Sequence, residues 1–96
     1  MSLDFSTIRN YHEQAVFRAV LETAQQFPGV AYKPELLLDV ACVALNRLPP
    51  KYIRHEADFT FFLTERERAD MELAVSEAVE YAFGFVQARS AMRARG

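Results

Sequence analysis

The sequence predicts a mainly α-helical fold: a small domain of three to four helices, with a short β-hairpin as a candidate extra element, assembling as a homodimer. Three features carry that prediction. Apolar residues recur at steps of three and four in two long stretches, the period of a helix with one buried side. Between them runs an almost continuous apolar segment, Leu36 to Leu45, closed shortly afterwards by Pro49 and Pro50. Thr64-Glu65-Arg66-Glu67 then has the Ser/Thr-x-x-Glu form in which hydroxyl and carboxylate each satisfy an orphan N–H at a helix start.

Taken in order, a first helix is expected over about 8–27, with Phe17, Val20, Leu21, Ala24 and Phe27 inward and Glu13, Arg18, Glu22 and Gln25 turned away. Pro28-Gly29 is expected to end it, the glycine accepting a positive φ. After a short link, Pro34 suits the first turn of a second helix because its missing N–H has no intrahelical partner there, and Glu35 suits the positive helix end. That helix, about 34–48, has hardly any polar side and is expected to be surrounded by protein as the core. Pro49 forces Leu48 out of helical geometry, and Pro50 makes the exit extended. Residues 52–55 and 58–62 are rich in β-formers and predict the hairpin, which needs a helix or a second subunit to lean on. The last helix runs from the Thr64 cap to the region 89–95, burying Met71, Ala74, Val75, Ala78, Ala82, Phe85 and Val86, with Val79 and Phe83 widening the stripe.

A chain of 96 residues fits one domain with a modest stability margin, and 51% hydrophobic residues is a generous supply for so small a core. Part of that supply is therefore assigned to a subunit interface, since one neighbouring helix leaves some of the last helix's apolar face uncovered. Lys+Arg 11 against Asp+Glu 13 gives no general positive field, which argues against non-specific nucleic-acid binding and requires any bound anion to be held by a local cluster. Cys42 is a single thiol within the apolar helix, expected to be hidden and unreactive. With no basic-apolar leader and no bilayer-length apolar run, the expected location is the cytoplasm, away from membranes.

The double-proline corner gathers the candidate site residues. Arg47, Lys51 and Arg54, with Asn46 and Tyr52 among them, have the chemistry to hold an anion: guanidinium forks match phosphate or the guanine O6/N7 edge, and a tyrosine face stacks on a base. Asp39 or Asp58 would accept from a guanine N–H. The plainer reading, that Asn46 and Arg47 only cap the helix end, stays open at this level. Asp39 and Asn46 lie two turns apart and share a direction. His55-Glu56-Ala57-Asp58-Phe59 starts like a zinc-protease helix, but Phe59 stands where the second histidine belongs, so no metal is assigned there or to His12. No Gly-rich phosphate loop and no activated nucleophile is visible, and no enzymatic activity or cofactor is expected. The tail arginines Arg89, Arg93 and Arg95 are read as complementing the helix end.

The run from Leu38 to Tyr52, LDVACVALNRLPPKY, resembles the signature of the late competence development ComFB family, D-V-x-x-x-A-L-N-x-L-P-P-x-Y, and Arg9-Asn10-Tyr11 resembles that family's N-terminal pattern. The resemblance implies a small helical homodimer without catalytic activity. It further implies a receptor for a cyclic dinucleotide, cyclic di-GMP or cyclic di-AMP, acting on competence, pili or motility. The positions carried over by it are Asp39, Asn46, Arg47, Lys51 and Tyr52. Some relatives hold zinc through cysteines ahead of the Asp-Val pair; Tyr32-Lys33-Pro34-Glu35-Leu36-Leu37 has no thiol, so that metal is not expected. The competing expectation is a dimeric interaction module that docks a protein regulator of pili or motility and binds no nucleotide.

Overall fold

The computed structural model describes residues 2–95. After a 3-10 turn at Phe5–Thr7 come strand β1 (Arg9–Asn10), helix α1 (His12–Thr23) prolonged by a 3-10 turn at Ala24–Gln26, the single-turn helix α2 (Pro28–Ala31), α3 (Pro34–Arg47), strand β2 (Tyr52–Ile53), α4 (Glu56–Phe61) and α5 (Glu65–Arg95). Helices α1, α3 and α5 pack on one another and enclose the core. Its members are Val16 and Val20 from α1, Val40, Ala41 and Ala44 from α3, and Val75, Ala78, Val79, Ala82, Phe83 and Val86 from α5, with Val30 and Leu48 closing its edges. Alanines at the crossing points let the three axes approach closely, and Phe83 fills the space that remains, stacked on Phe27 with centroids 4.7 Å apart.

The predicted helices survive with shifted registers. α1 starts at His12 rather than near residue 8, because Arg9 and Asn10 are taken into antiparallel pairing with Ile53 and Tyr52. Its inward stripe is His12, Val16 and Val20; Phe17 and Leu21, expected inside, are exposed, Leu21 by 68%. The first helical run does stop just before Pro28, Phe27 leaving helical geometry (φ −132°, ψ 65°), and Pro28 then begins the next helix, occupying the first turn of α2 where its missing N–H costs nothing. Among the described residues no glycine takes positive φ, so Gly29 is not the left-handed stop that was expected.

α3 ends at Arg47 and Leu48 leaves in extended geometry (φ −90°, ψ 139°), as the two prolines require. The helix is not surrounded, however. Leu38 is 69% exposed and Cys42, expected to be hidden, is exposed as well. The molecule is 19 Å thick in its shortest dimension, room for about two helix diameters, so any helix must present one side to the outside. The hairpin of 52–55 with 58–62 does not form: the second segment is helix α4, and β2 pairs instead with β1 from the chain's beginning. A two-residue strand gains little alone, and the helical segment packs the half-buried Phe59 against Tyr11, centroids 4.5 Å apart.

The cap of α5 forms as its sequence specifies. Glu67 N–H donates to Thr64 Oγ1 at 3.0 Å while Thr64 N–H donates to Glu67 Oε1 at 3.4 Å. Downstream, Phe85 departs from the predicted stripe and is 44% exposed, whereas Phe83 is fully buried. Replacing Phe83 with alanine is expected to cost about 3–5 kcal/mol, the range for emptying an aromatic site in a packed core. Denaturant unfolding followed by circular dichroism measures it; Phe85→Ala in the same assay should cost far less.

Candidate functional site

The corner after α3 is fixed by a segment far away in sequence. Pro49 and Pro50 have no N–H, so Lys51 N–H is the first backbone donor after Leu48, and it donates to Asn10 Oδ1 at 3.2 Å across a separation of 41 positions. The same oxygen accepts from His12 N–H at 3.2 Å, serving the start of α1. Tyr11 N–H donates to Lys51 O at 2.7 Å and completes the clasp. Asn10 thus ties the beginning of α1 to the end of α3, a role the sequence alone did not disclose.

His12 sits directly beneath that clasp. It is a buried polar residue, 6% exposed, and lines a cavity of about 380 Å³ together with Pro49, Pro50, Lys51, Phe59 and Met71. Burial holds its imidazole below the ordinary value of 6.5, the charge of Lys51 lowers it further, and a hydrogen bond to the Pro49 backbone works in the opposite direction. It is therefore a neutral structural histidine propping the proline corner.

The six candidate residues do not converge on one spot. Arg47 is exposed at the end of α3 with its guanidinium carbon 3.7 Å from the centroid of the Tyr81 ring. Asn46 and Tyr52 are exposed nearby in sequence. Lys51 turns toward the His12 cavity, its Nζ 6.0 Å from the Phe59 ring. Arg54 lies 3.1 Å from the neighbouring His55 Nε2. Asp39, two turns back on α3, is held by Arg89 at 3.6 Å, an exposed ion pair of small energy but definite orientation. Asp58 is exposed on α4. Among the described residues neither His55 nor His12 belongs to a metal-binding group of side chains.

The structure adds partners that sequence reasoning left in other roles. Tyr81 and Phe85, one turn apart on α5, stack with centroids 6.2 Å apart at 25°. Arg89, one turn further, carries its guanidinium carbon 5.5 Å from the Phe85 centroid. Arg47, Tyr81, Phe85 and Arg89 therefore form a ladder of planar groups along the α3–α5 seam, two arginines outside two rings, with Asp39 flanking the far rung. Its signature is an i, i+4, i+8 row on α5, legible only once α3 is known to lie alongside.

A scan of the sequence against known families matches residues 9–90 to the late competence development protein ComFB. The chain belongs to the ComFB family. No curated protein matches it closely enough to add a relative. The match opens at Arg9, where β1 begins, and so includes both halves of the Asn10 clasp. The Leu-Asn-x-Leu-Pro-Pro-x-Tyr run of this ComFB chain is thus a built corner with an internal partner.

Because the folded state disfavours the His12 proton, the unfolded chain binds more protons below pH 6.5, and stability falls as pH drops through that value toward the folded-state pKa. Unfolding free energies measured across this window should show the slope. In His12→Gln the slope should vanish; an unchanged slope would assign it to other groups.

Proposed function

We propose that this ComFB-family chain is a homodimeric, non-catalytic receptor for a cyclic dinucleotide, cyclic di-GMP or cyclic di-AMP, and that its regulatory output concerns competence, pili or motility. One observation carries the reading: Arg47 presents an exposed guanidinium laid over an aromatic ring, with no carboxylate in ion-pair range among the described residues. A structural cap would spend that side chain on the helix's own carbonyls. Here the ring holds the guanidinium plane while its N–H edge remains available for phosphate oxygens or for the O6/N7 edge of guanine. The exposed edges of Tyr81 and Phe85 add apolar surface beside it that a base can contact.

Dimerisation suits such a ligand. Cyclic dinucleotides carry two phosphates and two bases in near two-fold symmetry, so two copies of the Arg47 corner would engage both halves equivalently. Exposed apolar surface at Leu38, Cys42 and Phe85 supports self-association, since a monomer of this size gains nothing by leaving it to water. The second reading, an interaction module for a protein regulator, is favoured by a different feature: Phe61 and Phe62 project from the end of α4, 82% and 79% exposed.

Isothermal titration separates the two. Saturable binding of cyclic di-GMP or cyclic di-AMP is expected, weakening as salt is raised and falling by at least about tenfold in Arg47→Ala, the loss of one charge-assisted contact. Tyr81→Leu should weaken it as well, while Phe61→Ser should not. Absence of heat with either nucleotide at high micromolar protein would leave the module reading in its place.

A further inference from the structure

A second feature of the α5 surface points to a ligand of its own. At the Arg89 end of the ladder, where the link between α2 and α3 crosses the last turns of α5, a cavity of about 330 Å³ is lined by Lys33, Arg89 and Arg93, by the hydroxyl-bearing Tyr32 and Ser90, and by Leu36. Among the described residues no carboxylate lines it, in a protein whose formal net charge is −2. We propose that this cavity binds a phosphate group, as inorganic phosphate or as the dianionic end of a phosphomonoester. The assignment is independent of the dinucleotide reading.

The argument is one of charge and geometry. Arg89 and Arg93 are four positions apart on one helix, where like charges repel, and Lys33 from another element is added to the same hollow. The helix-end dipole explains part of this at Arg93, but its influence is confined to about the last turn, and α5 runs on to Arg95, so Arg89 lies outside it. Among the described residues one carboxylate pairs with the cluster, Asp39 with Arg89 at 3.6 Å from outside the cavity. Three cations with two hydroxyl donors exceed what one carboxylate can accept, and they match the three oxygens and near-double charge of a phosphate monoester. Lys33 Nζ already rests 5.7 Å from the Tyr32 ring, which biases it toward this side.

The pair with Asp39 gives the proposal a signature that general basicity lacks. Asp39 competes with any anion for Arg89, so neutralising it should tighten binding. The experiment is an amide NMR titration of the full chain with inorganic phosphate and, separately, with a nucleoside monophosphate, at constant ionic strength and at a pH above the second phosphate pKa of about 6. Saturable shifts are expected at the amides of Tyr32, Lys33, Leu36, Ser90 and Arg93. Lys33→Gln and Arg93→Gln should each weaken binding by about tenfold. Asp39→Asn should strengthen it, and the charge-matched control Arg18→Gln on α1 should leave it alone. Tighter binding of the nucleotide than of phosphate would make the natural ligand a phosphomonoester; equal binding would make it phosphate itself. Unsaturable shifts, equal affinity for acetate, weakening by Asp39→Asn, or an equal loss in Arg18→Gln would each overturn the assignment. These residues lie at the surface, and circular dichroism of each variant establishes that it is folded.

Discussion

The fold turns on a backbone deficit. Two successive prolines take two backbone N–H groups out of the exit from α3, and an exposed polypeptide corner of that kind has few local hydrogen bonds to hold its direction. The carboxamide of Asn10 supplies the missing partner by accepting from Lys51 N–H, and because it also accepts from His12 N–H, one oxygen fixes two helix ends at once. The short β1–β2 pairing follows from this contact, since two residues a side are too few to persist alone. His12, neutral and buried under the prolines, fills the space that the turning backbone leaves. Everything presented by the end of α3, Arg47 first, inherits its position from that clasp.

The α3–α5 seam has a different character. Its interior is alanine and valine, allowing close approach of the helices, while its outer margin carries the long planar side chains that cannot be accommodated within. Rings one turn apart on α5 and an arginine at either end form a continuous surface that is both apolar and cationic. An overall acidic protein is a poor collector of polyanions, yet such a margin concentrates positive charge on rigid supports, which favours a small anionic ligand over a long phosphate backbone.

The thinness of the molecule explains the exposed apolar residues of α1 and α3. Three packed helices enclose a single line of core side chains, and at 19 Å there is no third layer to cover the outer sides of α1 and α3. Phe17, Leu21 and Leu38 stay outside although they are larger and more apolar than the valines within. Shape decides this competition: the close helix crossings admit β-branched and small residues, and the wider space left between them is taken by Phe83.

The sequence by itself determined the elements whose causes are local. The stop at Pro49 and Pro50, the start at Pro34 and the Thr64–Glu67 cap depend on residues within a few positions of one another, and each stands where those residues put it. The family, too, was legible from the run Leu38 to Tyr52, because its corner is written in consecutive residues. What the tertiary structure alone decided is everything that depends on who lies alongside. Periodicity gave α1 a stripe but not its rotation, so Phe17 was expected where Val16 is found. β-forming residues at 58–62 became helix because Tyr11 offered Phe59 a partner and Arg9–Asn10 took the strand instead. Of the candidate residues, Arg47 went to the ladder, Lys51 to the His12 cavity and Asp39 to the pair with Arg89, since positions close together on a turning backbone point in different directions.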